Sequence, residues 1–240
     1  MFHMARQYGV TVHGITICQN QADYIRRYAA EHNLPVTVEV MNYLELDESR
    51  KWHRIVSIGM MCHIGQANID KFFDKVAALS APGAIVLLHC ISKMQESPGG
   101  DPFVLKHVFP GYWFNSMEGL ASRSVERGFN VLDVENLRRH YALTLRHWRK
   151  NFLRNYAAIQ AKMGFDDRFM RGWEYYLAQT AAGFSIGKLN LLQYTMSMGV
   201  NDEYPWTREF LYEGLDTPAP AADAPKPEPA APPLHVVNRN

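Results

Sequence analysis

Cysteine is scarce in this chain: three residues, Cys18, Cys62 and Cys90, among 240. Their spacing makes neither a disulfide framework nor a metal-ligand set, so no metal is expected, and so sparse a set reads as a protein of the reducing cytoplasm. Long apolar runs are missing too. None approaches the roughly 18 residues of a membrane span, and the start lacks the charged-then-apolar pattern of a signal peptide. An excess of one charge is also absent: 25 Lys and Arg stand against 24 Asp and Glu, which gives no argument for a nucleic-acid partner. One local imbalance stands out. From Arg138 to Arg154 there are six Lys or Arg, with His140 and His147, and no acid. No strand and no glycine-rich turn precede Met1–Tyr8, which reads as the end of a helix feeding a strand at Gly9.

What is present is the make-up of an ordinary soluble domain, 47% hydrophobic and 20% charged. Strands are expected at Gly9–Ile17, Val36–Asn42, Arg54–Met60, Ala84–Ile91, Asn130–Val134 and Lys188–Met198. Several are continuous apolar runs, as in strands covered on both faces. Helical patterns at Gln21–Asn33, Gln66–Leu79 and Met117–Gly128 alternate with them, which predicts a doubly wound, largely parallel α/β sheet. Leu145, Trp148, Phe152, Tyr156 and Ile159 then recur at helical spacing, predicting one long amphipathic helix from His140 to Met163. Asp166 or Asp167 could cap a second helix bearing Phe169, Trp173, Tyr176 and Leu177. Together these predict a helical cap over the sheet at about residues 140–185, within a domain spanning 1–216. The segment Thr217–Pro233 holds seven prolines in seventeen residues and reads, with the rest of 217–240, as a disordered tail.

The stretch 54–91 ends two of these strands in polar clusters, Cys62-His63-Ile64-Gly65 and His89-Cys90-Ile91. Ligands in open α/β sheets collect at the carboxyl ends of strands, so this is where a site is expected.

Several segments together resemble the cyclopropane-fatty-acyl-phospholipid synthase family, including the mycolic acid cyclopropane synthases. They are YGVTVHGITICQNQ at 8–21, RIVSIGMMCHIG at 54–65, PGAIVLLHCI at 82–91, VFPG at 108–111, RRHYALTLRHW at 138–148 and RGWEYYLAQTAAGFSIGKLNLLQ at 171–193. The resemblance runs from about Phe2 to Met198. It implies a Rossmann-like class I methyltransferase fold with a cap insertion, and methyl transfer from S-adenosyl-L-methionine to the double bond of an unsaturated acyl chain of a phospholipid. The cation formed on the chain then loses a proton to a base so that a ring closes, and water has to be kept out. The resemblance implies bicarbonate as that base, a phospholipid or fatty acyl substrate, and a site of action on the cytoplasmic side at the membrane surface; it leaves a homodimer open. Thr16, Ile17 and Gln21 match the cofactor segment, with Cys18 where serine is usual. Asn42 and Tyr43 fall at the adenine edge, and Gly59 lies near the cofactor's path. His89, Ile91 and Tyr141 match the bicarbonate-site histidine, backbone contributor and tyrosine.

Two departures qualify the match. The family reads Glu-His-x-Gly where this chain has Cys62-His63-Ile64-Gly65. A neutral thiol cannot hold bicarbonate as a carboxylate does. Cys62 reads either as a small buried residue, the favoured account, or as a reactive thiol with its pKa lowered near His63 or His89. The family's first strand, its Asp/Glu-x-Gly-x-Gly loop and its N-terminal helical segment also have no counterpart, so the chain reads as a truncated member. Its neighbouring strands are then expected to carry unpaired edges. A catalytically inactive relative that binds lipid or a partner is the alternative expectation.

Overall fold

The computed structural model describes residues 1–95 and 100–213. The predicted tail falls outside them. One compact unit covers Met1–Asn201, and a second starts at Asp202. Of the second, the described part holds a short 3-10 turn, Glu209–Leu211, with Phe210 packed edge-on against Tyr204 at 5.9 Å.

In the first unit, helix α1 (Phe2–Tyr8) leads into β1 (Val12–Thr16), α2 (Gln19–Glu31) and β2 (Val36–Val40). β1 and β2 pair in parallel as a two-stranded sheet of their own. β3 (Trp52–Ile58), α3 (Ile69–Leu79) and β4 (Ser80–Lys93) form the next unit of strand, helix and parallel strand. After α4 (Pro102–His107) come β5 (Asn115–Ser116), α5 (Met117–Glu126), β6 (Phe129–Asn136), three helices and β7 (Leu189–Met198). The second sheet has the order β3-β4-β7-β6, with β5 pairing in parallel beside the end of β4. All six strands expected from sequence are present. The sheet is less parallel than expected, because β7 runs antiparallel to both β4 and β6. An apolar run carries no direction, so periodicity could not reveal this.

β4 shows why the layers form. Ala84, Val86, Leu88 and Cys90 are buried on one face, where Phe72, Phe73 and Val76 of α3 and Leu120 of α5 meet them in the main core. The alternate residues His89 and Ile91 face the other way, as a period-two strand requires. That second face is roofed by the cap. Helix α6 (Arg138–Arg154) packs on α8 (Asp167–Ser185) through Leu145, Phe152, Met170, Leu177 and Phe184. Half of the basic run serves this pairing. Arg138 donates to the carbonyls of Phe184 and Ser185, Arg146 to Ser185 Oγ, and Arg149 to Glu174 at 2.6 Å.

The single long helix expected over His140–Met163 is two, α6 and α7 (Tyr156–Met163), parted at Asn155. The Asn155 side chain donates to the carbonyl of Asn151 at 2.8 Å. The same carbonyl also accepts from the backbone N–H of Asn155 at 3.1 Å. Asp166, rather than Asp167, caps α8: its Oδ1 accepts from the backbone N–H of Phe169 at 2.7 Å.

The two sheets meet where His13 of β1 stacks on Trp52 of β3 at 5.4 Å. Among the described residues β1 pairs only with β2, and β3 only with β4. Each therefore keeps one unpaired edge, as expected. Ile58, at the end of β3, is 71% exposed.

Candidate active site

Below the cap lies a cavity of about 810 Å³. Ile58 and Gly59 from the end of β3 and His89, Ile91 and Lys93 from β4 line it. Cys62 from the 3-10 turn Met61–His63, Phe109 and Phe114 from loops, and Tyr141 and Tyr176 from the cap complete this part of the wall. The expected residues Gly59, Cys62, His89, Ile91 and Tyr141 are thus brought together. Gly59 makes the turn at a φ of +71°, a left-handed conformation that side chains disfavour, and its N–H donates to the His89 carbonyl at 2.8 Å. This ties the ends of β3 and β4 to each other.

Burial sets the protonation of the cavity groups. Desolvation pushes the Cys62 thiol up to about 11 and the neighbouring Cys90 up to about 12. Cys62 is therefore a neutral thiol at pH 7, directed at the carbonyl of Ile91 with a long Sγ–O separation of 3.8 Å. The condition for a reactive thiolate, a lowered pKa, is not met here. Desolvation lowers the pKa of His89 and leaves its imidazole neutral near pH 7. It raises that of Tyr141, with a smaller push from Cys62, and takes Tyr176 up to about 12, so both phenols keep their protons. Tyr141 is held edge-on against Phe184 at 4.9 Å and Trp148 at 6.0 Å.

The other expected residues lie outside the cavity lining, at the carboxyl ends of β1 and β2. Thr16 Oγ1 donates to Gln21 Oε1 at 2.7 Å and accepts from the N–H of Cys18 at 3.1 Å, which fixes the turn into α2. Ile17 is 84% exposed. Asn42 accepts from the N–H of Leu44 at 3.0 Å. Tyr43 packs edge-on against Phe72 of α3 at 5.7 Å, and its buried hydroxyl has no hydrogen-bond partner among the described residues. An orphaned buried hydroxyl calls for a ligand or water to satisfy it, and the exposed Ile17 offers an apolar surface at the end of β1.

Sequence reasoning passed over Phe109, Tyr176 and Lys93 as site residues. The first two carried a signal, lying within the VFPG and RGWEYYL segments; Phe109 spans the cavity, 5.2 Å from His63 and 5.6 Å from Tyr176. Lys93 carried none. Among the described residues no group of three His, Cys, Asp or Glu is placed to hold a metal, and no helix is long and apolar enough to cross a membrane.

Residues 1–194 match the family described as mycolic acid cyclopropane synthetase. This chain belongs to that family. It is 31% identical over 218 residues to a probable fatty acid methyltransferase of Pseudomonas putida, covering 87% of this chain and 55% of the relative. It is 33% identical over 202 residues to the cyclopropane-fatty-acyl-phospholipid synthase of Escherichia coli K12, covering 83% and 50%. The chain thus spans about half the length of the curated relatives it matches. The fold matches the crystal structure of mycolic acid cyclopropane synthase CmaA1 complexed with SAH and CTAB, with a TM-score of 0.73 at 26% identity over 81% of this chain and 72% of that one. The class I methyltransferase fold expected for a cyclopropane synthetase relative is therefore the fold observed.

Proposed function

We propose that this chain takes part in S-adenosyl-L-methionine-dependent methyl transfer to a carbon–carbon double bond of an unsaturated acyl chain, with a phospholipid as the acyl carrier. The observation that carries the reading is the cavity itself, which joins His89 and Tyr141 with the aromatic residues Phe109, Phe114 and Tyr176 next to the strand-end turn at Gly59.

The residues at the ends of β1 and β2 fit an adenosine. Tyr43 offers its orphaned hydroxyl, Asn42 a side-chain amide that can pair with a purine edge, and Ile17 an apolar surface. Thr16 and Gln21 hold the turn between them, and Gly59 lets a ligand approach the backbone closely. The bound cofactor would supply an electrophilic methyl group on sulfur. As the new C–C bond forms, positive charge develops on the acyl chain; Phe109, Phe114, Tyr176 and Leu191 keep water from it. His89, neutral because it is desolvated, takes the proton at a ring nitrogen. Tyr141 keeps its proton and orients the reacting group by donation. A bicarbonate ion fits less well here than the resemblance implies. Cys62 is neutral and directed at the Ile91 carbonyl, so that ion would lack a carboxylate partner. The proton is therefore assigned to His89.

Approach from the cytoplasmic face of a membrane belongs to the same proposal. Arg139, Lys150 and Arg154 remain exposed on the outer side of α6, a basic face suited to anionic lipid surfaces. Co-sedimentation with phosphatidylglycerol vesicles at low salt, lost at high salt, is the expected result.

The primary test is calorimetric titration of the purified chain with S-adenosyl-L-methionine. Native protein binds, and Tyr43→Phe binds about 3- to 10-fold more weakly, as expected for one lost hydrogen bond of ~1 kcal/mol. No heat of binding at millimolar ligand overturns the reading. The neutral Cys62 favours a second one, an inactive relative that keeps the lipid cavity. Cys62→Glu then gains methyl transfer that the native chain lacks; turnover by native protein, unimproved by glutamate, sinks that alternative.

A further inference from the structure

The cavity reaches the surface at a second place, away from Ile58 and Gly59. Met94, one residue past the end of β4, and Lys188, one residue before β7, both line it. The last antiparallel pair, Lys93 with Leu189, sets them opposite each other, and the Asn190 amide donates to Met94 Sδ at 3.4 Å. This mouth lies about 16 Å along β4 from His89. Met94 and Ile186, the latter in the turn from α8 into β7, are 66% and 67% exposed. Large apolar side chains gain free energy when they leave water. Cations flank Ile186. Arg138 is held at the carbonyls of Phe184 and Ser185 and Arg146 at Ser185 Oγ, directly before Ile186 in the chain. Lys188 follows two residues later; it is exposed, and none of the ion pairs among the described residues involves it. The one acid among the described lining residues, Asp101, is turned to the N–H of Val104 as the cap of α4. Exposed apolar side chains beside cations suit the boundary between headgroups and acyl chains of an anionic membrane.

We propose that this mouth docks on an anionic lipid bilayer, Ile186 and Met94 entering the acyl boundary while Lys188 meets a headgroup phosphate. The inference rests on the acyl-chain reading above and names the surface through which that substrate arrives. The basic face of α6 supplies the salt-sensitive attraction at longer range. A chain that leaves the bilayer at Met94 then runs inside the cavity along β4 to His89, and its carbons do not cross bulk water.

The test is quantitative co-sedimentation of the full chain with phosphatidylglycerol vesicles at low salt. Ile186→Ser weakens binding about 5- to 10-fold, the scale of one apolar side chain returned to water. Ile186→Trp strengthens it, because tryptophan favours the interface, and damage to the fold cannot produce such a gain. Lys188→Gln weakens it about 5-fold and makes it less dependent on salt. Val200→Ser changes nothing, since Val200 is no less exposed but lies beside Gly83 near the start of β4. Equal affinity of native protein, Ile186→Ser and Ile186→Trp overturns the docking mouth, and so does a loss from Val200→Ser as large as that from Ile186→Ser. Binding of oleyl alcohol in neutral detergent micelles, which needs no docking, is measured alongside. If native protein holds the alcohol but no vesicle, the docking mouth fails and the acyl reading stands. If it holds neither, the acyl reading fails and the docking with it.

Discussion

The two ends of this unit face different conditions. On the closed, β4–β7–β6 side the two inner strands, β4 and β7, are paired along both edges, the faces are covered by α3, α5 and the cap, and the cavity groups are desolvated, with β6 as the edge strand. The β1–β2 side and the adjoining edge of β3 are open, with unpaired backbone and apolar side chains such as Ile17 and Ile58 in solvent. The acid–base residues proposed for the chemistry lie on the closed side. Those proposed to hold the cofactor lie on the open one. Order of this kind means that mutations on the two sides should report on different properties, stability and proton chemistry on one, ligand capture on the other.

The sharpest contrast is expected from Phe184→Ala. Phe184 is fully buried between α6 and α8 and supports Tyr141; its loss costs about 3–5 kcal/mol, read as a lower urea midpoint, and it loosens Tyr141. Asp166→Ala removes the cap of α8 and costs ~1 kcal/mol by the same measurement. On the open side, Ile58→Thr changes stability by less than about 0.5 kcal/mol but lowers self-association in sedimentation velocity, since an exposed apolar strand end promotes edge pairing. A drop in midpoint as large as that of Phe184→Ala would show that the open side is covered in solution.

The smallest effect is in pH. Desolvation lowers the pKa of His89 on the closed side and of His13 on the open side, the latter against an opposing pull from Glu39. Below 6.5 the unfolded chain binds protons that the folded chain refuses, so stability falls as pH drops from 6.5 toward the folded values and levels off beneath them. His89→Gln and His13→Gln should each flatten part of that slope. If His89 is the proton acceptor, the rate also declines on the acid side with an apparent pKa below 6.5.

Much of this was legible in the residues. The strands announced themselves as apolar runs, and the covered face of β4 explains why the run at 84–91 is so continuous. The extension of β4 back to Ser80 was not legible. The strand was expected to begin at Ala84, yet the register shift opposite Trp52 and Arg54 carries Pro82 and Gly83 into it. The break at Asn155 was hidden because Ala157 and Ala158 favour helix. Family resemblance brought Gly59, Cys62, His89, Ile91 and Tyr141 to one place, and the cavity unites them. Lys93 escaped notice because only strand alternation and its pairing with Leu189 put it in line with His89.

The three thiols draw the boundary between the two sides in chemical terms. With values of about 11 and 12, Cys62 and Cys90 are ionised to about one part in ten thousand or less at pH 7, and both are buried, whereas Cys18 at the start of α2 is partly accessible. A maleimide at neutral pH should therefore label the native chain once, at Cys18. That gives a dye position beside the proposed cofactor turn in unmutated protein, and slow labelling at Cys62, which lines the cavity, then clocks how often that site opens.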